Sequence, residues 1–298
     1  MSRDRFSHEP EIDERGKHGV VRDRDDSTRD LGDDSQSVAS GSDRQIPQIE
    51  DSLRAYYLRD RTYLLRESEF TTLAEIGKFR VIDAKDLAQF GYSGDAKRTN
   101  SDVRHLTQQG LVAVKSVKRG RETESLFVLT RKAKRLLLHS GRLPEGQAIY
   151  HGLVKPREAM HDAALYRLYQ RESSRIESAG GRPIRVALDY ELKRNLHREM
   201  ARLEGPRQSQ EARERVAEKH GLVLVNDKVQ VPDLRLEYET TDHERRHVDL
   251  ELATRNYRPR ALAQKAKAGF SIYAPREDAS KLRRIFDESE LTARIFAL

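Results

Sequence analysis

Residues 231–254 read VPDLRLEYETTDHERRHVDLELAT. Two runs within this stretch, Leu234–Tyr238 and Val248–Leu252, alternate apolar and polar side chains, which is the pattern of a strand with one buried face. The polar residues between the two runs indicate a turn near Asp242. The stretch therefore predicts two neighbouring antiparallel strands joined as a hairpin.

The alternation also restricts the register of this hairpin, because a slip of one residue would turn one apolar set toward solvent. The register that pairs Arg235 with Asp249 is the electrostatically favourable one, and it places Asp233 opposite Glu251, with Cβ atoms roughly 5 Å apart. Two carboxylates at that distance repel each other unless a proton or a cation lies between them. Because one or two carboxylates suffice to hold Mg²⁺, Asp233 and Glu251 are candidate metal ligands. A solvated polar strand edge is the alternative.

The segment HERRH, from His243 to His247, fits the HExxH pattern of zinc hydrolases. In those enzymes the motif lies on a helix, so that both histidines project from one face. Here it lies in a polar turn ahead of a strand, with no third ligand downstream, which favours a chance match and leaves zinc as an alternative. Three other histidines stand alone in helical patterns, which is typical of structural or exposed residues: His161, His197 and His220.

The composition indicates a protein with a polyanionic partner. The 298 residues carry a formal charge of +7 and a pI of about 9.5, which favours a polyanionic partner and leaves open which polyanion it is. The absence of cysteine excludes disulfides, thiolate zinc sites and cysteine nucleophiles. Neither a secretory signal nor an apolar run of the ~20 residues needed to cross a bilayer is present. We therefore expect a cytoplasmic protein without a membrane partner.

Composition shifts divide the chain into four parts. Residues 1–50 mix acids, arginines, serines and glycines with few aliphatic residues, so we expect a disordered arm. Residues 51–140 and 158–298 have the apolar periodicity of folded domains. Residues 141–157 contain proline and glycine and are interpreted as a linker. The fold class predicted for the whole chain is mixed α/β (α+β).

Residues 51–140 have the element order of a winged helix-turn-helix: three short helical patterns, two strand patterns around the loop KRGRETE, and a closing helix. The recognition helix of this fold enters the major groove with cations and amides on its outer face. On the third helix the candidate DNA contacts are Lys97, Arg98, Asn100, Ser101, Arg104 and His105. In the loop the candidate phosphate contacts are Lys118, Arg119 and Arg121. The expected partner is double-stranded DNA, and a fold that mediates only protein contacts is the alternative.

Two short motifs, VPD at 231–233 and DLE at 249–251, resemble the core of the restriction-endonuclease-like PD-(D/E)XK superfamily. The resemblance implies a mixed-sheet α/β domain in which Asp233 and Glu251 bind Mg²⁺ and take part in DNA cleavage. It also implies that Glu191 lies where some members carry an additional metal-binding acid.

The resemblance departs from the superfamily at one position. The lysine that usually follows the glutamate by two residues, and assists the attacking water, is replaced here by Ala253. Some members supply this lysine from the next helix, so the resemblance gives the role to Lys265, with Lys267 as the alternative. A phosphate-binding or solvated helix face is the other interpretation of both lysines.

A winged helix ahead of such a core resembles the replication-relaxation family, encoded largely on bacterial plasmids and integrative elements. The features that carry this resemblance, over roughly residues 55 to 298, are a helix opened by His161, the run DYELKR at 189–194, and ELAT at 251–254 before a basic helix. It implies a DNA-binding protein that acts in replication, relaxation or mobilisation, alone or as a homodimer, with other replication or mobilisation proteins. A non-catalytic accessory factor or transcriptional regulator with a degenerate nuclease fold is the alternative.

Overall fold

The structure is a computed structural model, and the chain is mixed α/β, as predicted. The described residues lie in a compact unit that spans Ile49–Leu298. The predicted arm, residues 1–50, lies outside the described residues. Those described are 52–119, 121–152, 158–202, 209–253, 257–275, 278–280, 282–284 and 295–297.

The first half of the unit contains a two-stranded hairpin, a set of helices and a three-stranded antiparallel sheet. The elements are β1 (Arg54–Leu58), β2 (Arg61–Leu65), α1 (Glu67–Phe79), β3 (Ile82–Asp83), α2 (Ala84–Asp86) with a π-helical turn (Leu87–Gly91), α3 (Ala96–Gln108), β4 (Val112–Arg119), β5 (Glu122–Leu129) and α4 (Arg131–His139). The strand order in the three-stranded sheet is β3–β5–β4. Asp83 and Asp95 cap helices α2 and α3, because each side chain accepts a hydrogen bond from main-chain N–H groups of the first turn.

The second half is built on a mixed five-stranded sheet. The elements are α5 (Ala159–Ser178), β6 (Arg182–Leu188), α6 (Asp189–Met200), α7 (Gln210–Lys219), β7 (Val223–Val225), β8 (Lys228–Gln230), β9 (Leu234–Glu239), β10 (Arg245–Leu252), α8 (Pro259–Lys267), β11 (Ser271–Ala274) and β12 (Ile295–Ala297). The strand order in the sheet is β12–β11–β10–β9–β6. Strand β9 is antiparallel to both of its neighbours, whereas β10, β11 and β12 are parallel to one another.

Helices cover both faces of this sheet. The apolar residues of β9 and β10, such as Leu234 and Leu250, belong to one buried cluster with Leu165 and Leu168 of α5. On the opposite face, Leu262 of α8 belongs to a second buried cluster together with residues of β11. The ends of β9 and β10 therefore lie between helices, where polar side chains are partly shielded from water.

The segment after α4, predicted as a linker, packs against both halves of the unit. Gln147 is buried, and its side chain exchanges two hydrogen bonds of 3.0 Å with the main chain of Val186. Ile149 is also buried, and the N–H of Tyr150 donates to the carbonyl of Gly77 at 2.7 Å. These contacts connect α1 and β6 through one short stretch of chain.

Arg80, directly after α1, forms a second connection. Its φ of 68° is unusual for a residue other than glycine. The guanidinium lies 2.9 Å from Asp162 of α5, with both side chains buried, and it also stacks over the ring of Tyr190 in α6 at 4.2 Å. A buried arginine thus joins the end of α1 to the beginnings of α5 and α6.

The predicted β9–β10 hairpin and its register are confirmed, including the pairing of Arg235 with Asp249. Near the C-terminal end, residues 278–280 and 282–284 are helical. Among the described residues, no helix combines the length and apolar character that crossing a bilayer demands.

Candidate active site and nucleic-acid surface

Asp233 and Glu251 lie opposite each other where β9 begins and β10 ends. The main-chain N–H of Asp233 donates to Glu251 Oε2 at 3.2 Å. The main-chain N–H of Leu252 donates to Asp233 Oδ2 at 3.0 Å. The two carboxylates therefore meet at one end of the sheet, as the register predicts.

Lys265 reaches this pair from α8. Its Nζ lies 3.2 Å from Glu251 Oε2 and 2.5 Å from the carbonyl oxygen of Val231. Ala253, at the usual lysine position, is fully buried among apolar side chains, and Lys267 is exposed. The structure therefore brings Asp233, Glu251 and Lys265 together and leaves Lys267 outside the cluster.

Two further side chains join the cluster. His161 Nε2, in the first turn of α5, lies 3.6 Å from Asp233 Oδ1, and the hydroxyl of Tyr257 donates to Glu251 Oε1. The interpretation of His161 as an isolated histidine is wrong, because the start of α5 lies beside the beginning of β9. Its spacing in the sequence gives no sign of this contact.

Burial and mutual repulsion set the charges of the cluster. Burial, together with the charge of Asp233, raises the pKa of Glu251 to about 7, against the opposing effect of Lys265. For Asp233, burial is outweighed by the nearby positive charge of His161 and by the hydrogen bond from the N–H of Leu252, so its pKa is lowered. Burial would lower the pKa of His161, but Asp233 holds it above its usual value. Near neutral pH, Glu251 therefore exchanges a proton readily, and a bound cation would favour its ionised form.

The third predicted metal ligand occupies another ion-pair network. Glu191, in the first turn of α6, contacts Arg185 of β6, and Arg185 also donates to Glu237 at 2.6 Å. The described residues contain no group of three or more His, Cys, Asp or Glu side chains suited to enclosing a metal ion. A magnesium site with two carboxylates does not require one, because water and phosphate oxygens fill its other positions.

Another cation lies near Asp233. The N–H of Asp189 donates to the carbonyl oxygen of Asp233 at 3.1 Å, and Lys193 Nζ lies 2.7 Å from Asp189 Oδ2. Burial would lower the pKa of Lys193, but the charges of Asp189 and Asp233 raise it. The acids at this end of the sheet thus lie within reach of ammonium groups from both α6 and α8.

The predicted DNA contacts form one outer face of α3. The inner face packs through buried Thr99, Val103 and Leu106. His105 is turned toward α1, with Nδ1 2.5 Å from Glu69 Oε1, and is only partly exposed. Lys118 and Arg121 are exposed at the β4–β5 turn, and the side chain of Arg119 lies outside the described residues. The exposed residues of the α3 face are Lys97, Arg98, Asn100, Ser101 and Arg104.

The HExxH segment is not helical. His243 lies in the β9–β10 turn with a φ of 60°, and its Nδ1 is 2.8 Å from Glu239 Oε1. His247 belongs to β10, where it pairs with Glu237. The two histidines therefore lack the helical arrangement that zinc hydrolases use.

Protein-family models, curated proteins and solved structures were each compared with the chain, and none matches. The acid–lysine cluster at the end of the sheet and the basic outer face of α3 are the two features of the described residues that indicate a function.

Proposed function

We propose that the chain is a DNA-binding protein with a winged helix followed by a restriction-endonuclease-like domain, and that it cleaves DNA in the presence of Mg²⁺. The replication-relaxation family of bacterial mobile elements is the proposed relationship, with replication, relaxation or mobilisation in the cytoplasm as the process. The observation that carries the proposal is the position of Lys265 Nζ, 3.2 Å from Glu251 Oε2.

Lys265 supplies what Ala253 lacks. An ammonium beside the second carboxylate is a recurring requirement for activating a water molecule, because it stabilises the developing negative charge. Ala253 is fully buried in an apolar cluster, so a lysine at that position would place its chain against apolar side chains. An ammonium from α8 occupies the position beside Glu251 without disturbing this packing.

The donor set fits Mg²⁺. Asp233 and Glu251 are hard oxygen donors at one strand end, and the elevated pKa of Glu251 marks a place where a positive charge is favourable. Bound there, the metal would polarise the scissile phosphate and lower the pKa of a water molecule.

The remaining side chains hold charge and orientation. Lys265 orients the water and carries a positive charge at the reacting centre. His161 favours the ionised form of Asp233, and Asp233 in turn raises the pKa of His161. Lys193 lies where it favours an incoming phosphate, since its side chain is about half exposed.

The winged-helix assignment is supported by the order of elements between α1 and α4 and by the exposed cations of α3. In this reading α3 is the recognition helix and the β4–β5 hairpin is the wing. Arg104 and Lys97 lie on the exposed face of α3, and Lys118 and Arg121 are exposed at the hairpin turn. Cations at both places are what duplex binding by this fold requires.

A supercoiled-plasmid nicking assay tests the proposal. Wild type should nick the plasmid with Mg²⁺ and not in chelator, while Asp233→Asn and Glu251→Gln should lose the activity. Glu218→Gln, an exposed acid on α7, is the matched control and should nick like wild type. Equal nicking by wild type and Asp233→Asn would overturn the assignment of the site.

A non-catalytic accessory factor or transcriptional regulator is the second candidate. It is favoured by one observation: Glu251 already has Lys265, Tyr257 and the N–H of Asp233 as partners without a metal. Duplex binding that depends on α3, without any nicking under Mg²⁺ or Mn²⁺, would support this candidate over the nuclease.

A further inference from the structure

The outer face of the β1–β2 hairpin exposes an unusual set of apolar side chains. Tyr57 is 74% exposed, and Leu53 and Leu64 are 52% and 50% exposed. Leu64 pairs across the hairpin with Ala55, which lies two residues before Tyr57 on β1. Because paired residues and residues two apart point to the same side of a strand pair, Tyr57 and Leu64 share one side. An aromatic ring and two leucines thus form a surface without cover from the described residues, here called the hairpin surface.

The inner side of the hairpin is firmly anchored. Tyr56 stacks on Phe70 of α1, with ring centroids 5.1 Å apart and planes 13° apart. Arg142 lies over Phe70 at 4.2 Å and donates to the hydroxyl of Tyr56 at 2.5 Å. Tyr57 is therefore presented outward from a rigid base, so holding it in place costs little conformational entropy on binding.

The surroundings of the hairpin surface are strongly basic. Residues 52–66 and 131–142 together contain nine Lys and Arg residues against a single acid, Asp60. Arg142 is paired with Glu67 at the start of α1. A cleft of about 220 Å³ separates the hairpin from α4, and its lining residues are Tyr57, Leu58, Arg59, Arg135 and His139. An exposed ring thus lies beside cations from two elements.

We propose that the hairpin surface binds an unpaired nucleic-acid strand, with a base stacked on Tyr57 and phosphates held by Arg59 and Arg135. Single-strand sites combine a positively charged groove with aromatic side chains on which bases stack. In a duplex the faces of the bases are covered by stacking on their neighbours. Its phosphates could contact the arginines, but no base could stack on Tyr57. The excess of positive charge selects a polyanion over an ordinary protein partner.

This inference goes beyond the proposed cleavage activity and does not depend on it. The hairpin surface lies on the winged-helix half but on elements other than α3. Binding of a single strand and of a duplex are therefore separable by substitution.

The test measures binding of the full chain to a fluorescent oligothymidine of about 15 nucleotides, in chelator so that no cleavage occurs. Tyr57→Ala should weaken binding about tenfold or more, whereas Tyr57→Phe, which keeps the ring, should bind like wild type. Arg59→Ala with Arg135→Ala should lower the slope of log affinity against log salt by about 0.7 for each phosphate contact removed. Arg182→Ala, 71% exposed on β6, is the control and should change neither quantity.

A second arm separates this surface from the recognition helix. Arg104→Ala should weaken binding of a duplex and leave oligothymidine binding unchanged, while Tyr57→Ala should do the reverse. Wild-type oligothymidine affinity in Tyr57→Ala would overturn the proposal. Equal losses for duplex and single strand in Tyr57→Ala would also overturn it. A change in oligomeric state in Tyr57→Ala, with oligothymidine affinity intact, would instead identify the surface as a contact between two copies of this chain.

Discussion

Lys265 Nζ lies 3.2 Å from Glu251 Oε2, although Lys265 belongs to helix α8 and Glu251 to strand β10. Lys265 of α8 thus places an ammonium group beside Glu251, while Ala253 packs in the apolar cluster that includes Leu262 of the same helix. A hydrolytic site of this kind requires a positive charge at a particular place beside the acids, and a lysine at more than one position in the chain can supply that charge. The departure at residue 253 is therefore compatible with a working site.

Lys265→Met should abolish most plasmid nicking and leave duplex binding intact. Methionine keeps the length and apolar contacts of the lysine stem and removes the charge beside Glu251, so a loss of about 10²-fold or more in rate is expected. Lys267→Met, on the same helix and exposed, is the matched control. The assignment of Lys265 fails if the two variants nick equally well.

The metal-free protein should lose stability as the pH rises from about 4.5 to 7. The pKa of Glu251 is about 7 in the folded chain against an ordinary value of 4.5, so the unfolded chain releases this proton first. Below pH 4.5 Glu251 is protonated in both the folded and the unfolded chain, so its titration does not change the free energy of unfolding. Above pH 7 the decrease in the free energy of unfolding is complete, on the order of 3 kcal/mol.

Glu251→Gln isolates this effect. The quantity to compare is the free energy of unfolding of the variant minus that of wild type, measured by urea denaturation with chelator present. This difference should be more favourable to the variant at pH 8 than at pH 5. Adding Mg²⁺ at pH 8 should stabilise wild type and leave the variant unchanged. A stability difference between the two proteins that does not vary with pH would contradict the elevated pKa.

Breaking the buried pair of Arg80 and Asp162 should destabilise the whole unit. Asp162→Ala leaves a buried guanidinium without its carboxylate, for which about 3–5 kcal/mol is expected. The double variant Arg80→Met with Asp162→Leu should recover much of this loss, as chemical denaturation can measure. The exposed pair of Glu244 and Arg246 is the control, since solvent screens it and its removal should change stability far less. Equal effects for both pairs would show that Arg80 does not join the two halves.

The hairpin carrying both acids could be predicted from sequence, because parity restricts its register and the favourable pairing of Arg235 with Asp249 selects one of the registers that remain. The β1–β2 hairpin could not, since its turn passes through Arg59 with a φ of 54° and lacks the glycine or asparagine that usually marks such turns. The contact between His161 and Asp233 joins residues far apart in the chain, so no local pattern indicates it. Only the resemblance points to Glu191 as a metal ligand, and the nearby Arg185 holds its carboxylate in a different network.

Arg104→Ala should weaken duplex binding, because its side chain lies on the exposed face of α3 opposite the buried Val103 and Leu106. If the arginine contacts a phosphate, the salt dependence of log affinity should fall by about 0.9 and all sequences should be affected alike. If it contacts a base, about 1–3 kcal/mol of discrimination at one position should disappear. Lys228→Ala, an exposed cation on β8, is the control. Titrations of a labelled duplex at several salt concentrations distinguish these outcomes, and affinity unchanged by Arg104→Ala at every salt concentration would remove α3 from the DNA interface.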